Sequence, residues 1–258
     1  MSDEPLIAVF IDYENLAIGV RDAQKSTVDV SLVLKRLLEK GRTVTKRAYC
    51  DWSQYRGAVR ELHEHGVVMI DIPRSGVSGK NSADIHMVVD AMDLCYSKDH
   101  INVFALLTGD SDFSPLAHKL KECDKRVIGC GVRSSTSQLL VASCDEFMYY
   151  DDLVVRAAKP RRPRGRSGPP AERDRKEEAL DHLMEIVRSL ADDYENVWSS
   201  MVKQTLSRVH PGFNLESHGY PSFQGLLEDA CERGLLELET DRSRGNTRIH
   251  IAHAQPPA

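Results

Sequence analysis

The stretch INVFALLTGDSDF (residues 101–113) decides how the first half of this chain is read. Its leading part is continuously apolar, as a central strand buried on both faces must be. Its end, TGDSDF, sets Asp110 and Asp112 immediately beyond that strand. Upstream, LIAVFID (6–12) is a second apolar strand that also finishes on an acid, Asp12. Between the two the period of the sequence keeps switching. Val30, Val33, Leu34, Leu37 and Leu38 recur at helical spacing and stop at Gly41. TVTKRAYC (43–50) and VVMIDIP (67–73) read as strands, with a polar helix over 53–65 between them. Ile85, Val88, Val89, Met92 and Tyr96 then mark one face of an amphipathic helix. Downstream, Ser114-Pro115 reads as an N-cap with proline at the first helical position, opening a helix toward Cys123. RVIGCGV (126–132) is a fifth strand, and a short helix and strand close the unit near Tyr149. Strands alternating with helices predict an α/β fold: a three-layer, Rossmann-like parallel sheet over residues 1–153.

In such a sheet, functional groups gather beyond the carboxyl ends of the strands, where strand order reverses. Asp12 and the Asp110/Asp112 pair belong to strands that are neighbours across that switch point. Asp84 opens the helix after the third strand and leans toward the same crevice. Taken singly, each acid is an ordinary cap or Asx-turn residue. Together, acids from three separate segments converge on one cleft. Close carboxylates repel one another, and a hard divalent cation removes the repulsion. Oxygen-only donors suit Mg²⁺ or Mn²⁺, which can activate water and steady both oxygens of a phosphodiester displacement.

Residues 154–175, including KPRRPRGRSGPP, change character and read as a basic Pro/Arg/Gly linker. Residues 154–176 hold nine Lys/Arg against two acids, so the segment is +7 within a chain of net charge −5. A basic strip between acidic halves points to a polyanion or to a merely solvated linker. Over 176–253, helical spacing at Leu180, Leu183, Val187 and Leu190 is followed by helices over 197–209 and 221–233. LLELET and NTRIHIA around DRSRG form a hairpin, completing the order of a small winged helix-turn-helix domain.

Composition excludes several classes. The 258 residues are 41% hydrophobic and 28% charged, an ordinary soluble balance with room for two modest domains. No apolar run is long enough to span a bilayer, and MSDEPLIAVF is not a secretory leader, so a cytoplasmic location is expected. The six cysteines contain no CxxC pair and read as buried free thiols. Neither a GxGxxG nor a Walker pattern occurs, and His63 and His65 are spaced wrongly for zinc. Trp52 and Tyr55 at a strand end read as packing in preference to base stacking.

FIDYEN (10–15), KNSAD (80–84) and TGDSDF (108–113) together resemble the NYN domain, the LabA-like branch of the PIN-like nuclease superfamily. That resemblance covers roughly residues 5–150. It implies a metal-dependent endoribonuclease with Asp12, Asp84, Asp110 and Asp112 as its acidic set and Mg²⁺ or Mn²⁺ as cofactor. Asp12 and Asp110 would hold the principal ion, with Asp84 and Asp112 orienting it, its waters or a second ion. Asn15 matches the family's D-x-x-N asparagine. Thr108 and Ser111 match supporting hydroxyl residues, and Asp90 fits a recurring acid in the following helix. Lys80 stands where a cation could meet a substrate phosphate. HPGFNLESHGYPSFQGLLEDACERGLLELE resembles the OST-HTH or LOTUS domain, over about residues 176–252, which implies RNA binding or a protein partner. Lys203, Arg208, Arg242, Arg244 and Arg248 there, and Arg161, Arg162, Arg164 and Arg166 in the linker, are available for phosphates.

Two other functions compete with the nuclease. A nonhydrolytic RNA-binding regulatory adaptor would use the linker and C-terminal domain and leave the acids without chemistry. A haloacid dehalogenase-type phosphatase needs an acid two residues after the strand-end Asp; here DYEN puts Glu14 there, which disfavours it. RNA is the expected partner, DNA is not excluded, no membrane is expected, and a homodimer is left open.

Overall fold

The computed structural model describes residues 4–23, 27–73, 82–158, 172–241 and 246–252. The chain separates into two compact units, Met1–Arg161 and Arg162–Ala258. In the first, six strands form one parallel sheet: β1 (Leu6–Asp12), β2 (Arg42–Cys50), β3 (Val68–Asp71), β4 (Val103–Leu107), β5 (Arg126–Gly131) and β6 (Glu146–Tyr149). Their order is β3-β2-β1-β4-β5-β6. The chain thus builds outward from β1 on one side and then returns to its other side, with Ile7 beside Val103 and Ile11 beside Leu107. The switch point falls between β1 and β4, where the apolar runs ending in acids placed it.

Both central strands are buried on both faces, and their side chains alternate between two cores. Ile7, Val9, Ile11, Val103, Ala105 and Leu107 face α1 (Tyr13–Asp22), α2 (Val30–Lys40), α3 (Arg56–Glu64) and α7 (Tyr150–Ala158). Ala8, Phe10, Phe104 and Leu106 face α4 (Ser82–Ser97), α5 (Ser114–Glu122) and α6 (Gln138–Ser143). The result is three layers. α1 follows β1 without a break, because the Asp12 carboxylate accepts from Asn15 N–H and caps it.

Two sequence expectations shift here. Ile85, Val89 and Tyr96, read as the packing face of α4, are 61%, 59% and 65% exposed; Met87, Ala91, Leu94 and Cys95 are the residues that pack. α4 is apolar on two faces, so periodicity alone could not choose between them. At α5 the cap position is Phe113, with Ser114 already the first helical residue.

Of the span 154–175 read as a linker, residues 159–171 lie outside the described residues. Residues 150–158 belong to α7, and α8 begins at Glu172, so helix claims both ends of that span.

The second unit contains α8 (Glu172–Asp193), α9 (Ser199–Val209), α10 (Phe223–Glu232) and an antiparallel sheet of β7 (Val197–Trp198), β8 (Leu236–Asp241) and β9 (Asn246–Ile251) in the order β7-β9-β8. The β8–β9 hairpin pairs Leu236 with Ile251 and Asp241 with Asn246, and β7 adds a strand that the sequence reading missed. Leu183, Val187, Val202, Leu206, Leu226, Leu227 and Ile249 form its core. Beside that core the rings of His182 and His210 stack with centroids 4.0 Å apart, Phe213 meets His182 edge-on, and His218 stacks on Phe213 at 4.7 Å.

Candidate functional site

Asp12 is the last residue of β1 and is buried at the carboxyl edge of the sheet. Both of its oxygens are engaged. Oδ1 accepts from Asn15 N–H at 3.1 Å, and Oδ2 accepts from the Thr108 hydroxyl at 3.0 Å. Thr108, the first residue past β4, is wholly buried, and its Oγ1 also accepts from Asp110 N–H at 3.2 Å. Asn15 makes a second tie, its Oδ1 accepting from Gly109 N–H at 2.8 Å. Two hydrogen-bonded bridges therefore fasten the β1–α1 junction to the exit of β4.

That exit is shaped by the next carboxylate. Asp110 Oδ1 accepts from Asp112 N–H at 3.0 Å and caps a single 3₁₀ turn, Ser111–Phe113. Phe113 is buried under the turn and anchors it, leaving Asp112 exposed and Ser111 half-buried. Asp84 lies half-buried in the first turn of α4.

Electrostatics tie the four acids together. Burial is the main reason the Asp12 carboxyl is pushed up to about 7, and the charges of Asp84 and Asp110 add to it against the opposing Asn15 and Thr108 hydrogen bonds. The Asp84 carboxyl is likewise raised, first by burial and then by Asp110 and Asp112. Asp12 is thus raised by Asp84 and Asp110, and Asp84 by Asp110 and Asp112, as expected of carboxylates held near one another without a countercharge.

The donor set is all oxygen: four carboxylates, the Asn15 carboxamide and the Thr108 hydroxyl. That chemistry fits Mg²⁺ or Mn²⁺. As they stand, no three or more Asp, Glu, His or Cys side chains among the described residues are gathered tightly enough to hold an ion. Coordination would have to draw the carboxylates inward.

Asp90 is placed elsewhere. Its carboxylate accepts from the Tyr49 hydroxyl at 2.7 Å and pairs with Arg47 at 2.9 Å, so it fastens α4 to β2. Lys80, Arg161, Arg162, Arg164, Arg166, Arg242 and Arg244 lie outside the described residues. In the second unit Lys203 is exposed on α9, Arg208 donates to the Thr205 hydroxyl, and Arg248 on β9 lies 3.8 Å from Glu239.

Sequence reasoning missed the segment after β5. Ser137 N–H donates to Gly109 O at 2.8 Å, and the Thr136 hydroxyl donates to Val132 O at 2.7 Å. A Cβ on Gly109 would stand 2.9 Å from Ser135 O and 3.0 Å from Thr136, and one on Gly131 would stand 2.5 Å from Thr136 Oγ1. The Ser/Thr run at 134–137 after a strand was the available signal. Also missed were Asp51 and Asp71, at the carboxyl ends of β2 and β3. Both serve the turn there, Asp51 accepting from Ser53 N–H and Asp71 from Trp52 N–H. Trp52 itself is buried, donates from its indole N–H to Ile70 O and packs its ring on Tyr13.

Among solved structures, a crystal structure of a protein of unknown function from Vibrio parahaemolyticus is similar with a TM-score of 0.53 and 26% identity, covering 59% of this chain and 97% of that one. The structure of the Aeropyrum pernix Orc1 protein in complex with DNA gives 14% identity over 96% of this chain and 84% of that one, but its TM-score of 0.23 is too low to relate the folds. No curated protein matches the chain. Among the described residues no helix is long and apolar enough to cross a membrane. The family model of the NYN domain matches residues 6–151, more than half of the sequence and the whole of the six-stranded sheet, and the chain therefore belongs to the NYN domain family, within the PIN-like nuclease superfamily.

Proposed function

We propose that this chain is a divalent-metal-dependent endoribonuclease, with Asp12, Asp84, Asp110 and Asp112 as its acidic set. The observation that carries the proposal is the buried Asp12 carboxyl, pushed up to about 7 by burial and by its acidic neighbours. A fold tolerates such repulsion at a functional edge when a cation relieves it in the working state. Asp12 and Asp110 would hold Mg²⁺ or Mn²⁺, with Asp84 and Asp112 completing the oxygen donors. Bound there, the ion supplies the positive charge that activates water and stabilises charge developing on the phosphodiester. The chain's own residues do the positioning. Thr108 fixes the Asp12 carboxylate and the Asp110 backbone through one hydroxyl, and Asn15 sets the Gly109 peptide beside them.

Substrate binding is assigned to the basic side. The acidic edge repels a polyanion, so affinity comes from Arg161, Arg162, Arg164 and Arg166, from Lys80, and from the C-terminal unit. We read that unit as an OST-HTH or LOTUS-type winged module, on its order of three helices and a β8–β9 hairpin, with Lys203, Arg242, Arg244 and Arg248 toward RNA. The second reading is a nonhydrolytic RNA-binding adaptor. It is favoured by one observation: the acids are not gathered as a ready metal site.

The test is incubation of wild type and Asp110→Asn with end-labelled RNA and DNA, with and without Mn²⁺. Metal-dependent RNA cleavage lost in the variant supports the nuclease. Undiminished cutting by Asp110→Asn removes it, and RNA binding without cleavage in either protein selects the adaptor. Cleavage of DNA alone overturns the substrate assignment.

A further inference from the structure

The solvent face of α4 carries an apolar seam. Ile85, Val89 and Tyr96 are 61%, 59% and 65% exposed, and Met92 lies half-buried between them. Their spacings of four, three and four residues are those of the d-a-d-a seam along which one helix packs against another. Single exposed apolar residues are commonplace, but a row of them along a whole helix marks an interaction surface. α4 does not need Ile85 or Val89 to hold its place, because Met87, Ala91, Leu94 and Cys95 already seat it on the sheet; Met92 also packs against that core along one side, and the Tyr96 hydroxyl lies 3.7 Å from Cys123 Sγ.

The flanking charges select the occupant. With Ile85 and Met92 at d positions, His86 and Asp93 fall at successive e positions, and both are exposed. In an antiparallel helix pair, e positions meet e positions across the seam. A second α4 running the opposite way would set Val89 against the partner's Met92 and Ile85 against the partner's Tyr96. It would also set His86 against the partner's Asp93, and the two-fold axis makes that pair twice. An imidazole N–H donates to a carboxylate whether or not the ring is charged. In a parallel pair, e positions face g positions, here Val88 and Cys95, and Asp93 gains nothing.

We infer that α4 is a self-complementary dimerisation surface, pairing antiparallel with α4 of a second copy of this chain about an axis between Val89 and Met92. A helix of 16 residues is about 24 Å long. One such pair falls short of the roughly 1,200 Å² of a stable interface, so association belongs in the micromolar range.

The test is the mass of the full-length chain in solution by sedimentation equilibrium from about 5 to 200 μM, a range chosen to bracket micromolar association. Wild type should move from one chain mass toward two. Val89→Glu, at an exposed position, should weaken association at least roughly tenfold with unchanged circular dichroism, because it places a charge in the seam. Asp93→Lys should also weaken it, and His86→Glu added to Asp93→Lys should restore it. A wild-type mass that stays at one chain overturns the inference. So does association that Val89→Glu leaves intact, or a double charge reversal that performs no better than Asp93→Lys alone.

Discussion

The hydroxyl of Thr108 donates to Asp12 Oδ2 at 3.0 Å while accepting from Asp110 N–H at 3.2 Å, so one buried side chain sets the relative position of two acids from different strands. Thr108→Val keeps the shape and removes both interactions. It leaves a buried carboxylate oxygen and a backbone N–H without this partner, a cost of about 1–3 kcal/mol. Thermal unfolding should show that loss, and the rate of RNA cleavage should fall with it, whereas Thr108→Ser should restore both.

Asp12→Asn should separate stability from activity. The folded-state carboxyl titrates at about 7 against an ordinary value of 3.8, so the native chain holds its proton more tightly than the unfolded one. Stability from this group is complete below 3.8 and is lost as pH rises through about 7. In chelator at pH 8 the variant should therefore be more stable than wild type, by at most about 4 kcal/mol. Its melting temperature should also change less with pH, while cleavage disappears. A melting temperature below wild type at pH 8 would contradict the burial argument.

Gly109→Ala tests the segment after β5. The added methyl would press on Ser135 O and Thr136, both within 3.0 Å. Backbone cannot yield cheaply, so a loss of about 1–3 kcal/mol is expected, together with weaker cleavage because Asn15 and Asp110 flank the displaced peptide. Guanidinium unfolding and initial cleavage rates measure the two effects.

Asp90→Asn should do the opposite of the site acids. It weakens the ties to Arg47 and Tyr49 and lowers stability by about 1 kcal/mol, with cleavage per folded molecule unchanged. Metal-dependent activity falling as far as in Asp110→Asn would return Asp90 to the site.

The stacked histidines make the second unit acid-sensitive. Burial, and then the neighbouring His210 and His218, hold His182 down at about 4 against an ordinary 6.5, in spite of Glu178 and Glu185. The unfolded chain takes up a proton through 6.5 that the folded unit refuses until about 4, so stability is lost as pH falls through that window. Unfolding of the second unit, followed from pH 7.5 to 5, should shift downward with acid, and less so in His182→Phe.

Much of the site's frame was legible because β1 and β4 are the two most apolar strands and each runs into an acid. Parallel topology then brings Asp12 and Asp110 together without further information. What escaped reading depended on tertiary choice. YENLAIGVRD (13–22) offers a narrow apolar face, Leu16 and Val20, and its helix starts at the cap that Asp12 supplies from the end of β1. α4 has two apolar stripes, and only the sheet decides which one packs. Asp90 shares a helix with Asp84, yet Tyr49 and Arg47 claim it, and that pairing lies 41 and 43 residues away in sequence. The Gly109 contacts with Ser135–Ser137 span 26 to 28 residues and leave no trace in local periodicity either.

Asp12 is at once the end of a strand, the cap of a helix and a member of the acidic set, and its first two duties survive the loss of the third. A relative that had abandoned chemistry would still be under pressure to keep a capping side chain there, aspartate or asparagine, for folding alone. Asp110 is similar, since it caps the turn that buries Phe113. Among the described residues no hydrogen bond is made by the carboxylates of Asp84 or Asp112, and neither caps a helix. Beyond the weak charge preference of a helical first turn, these two acids have no hydrogen-bonding duty in the fold, so in any comparison of relatives their retention or loss tells more than that of Asp12 about whether the edge works.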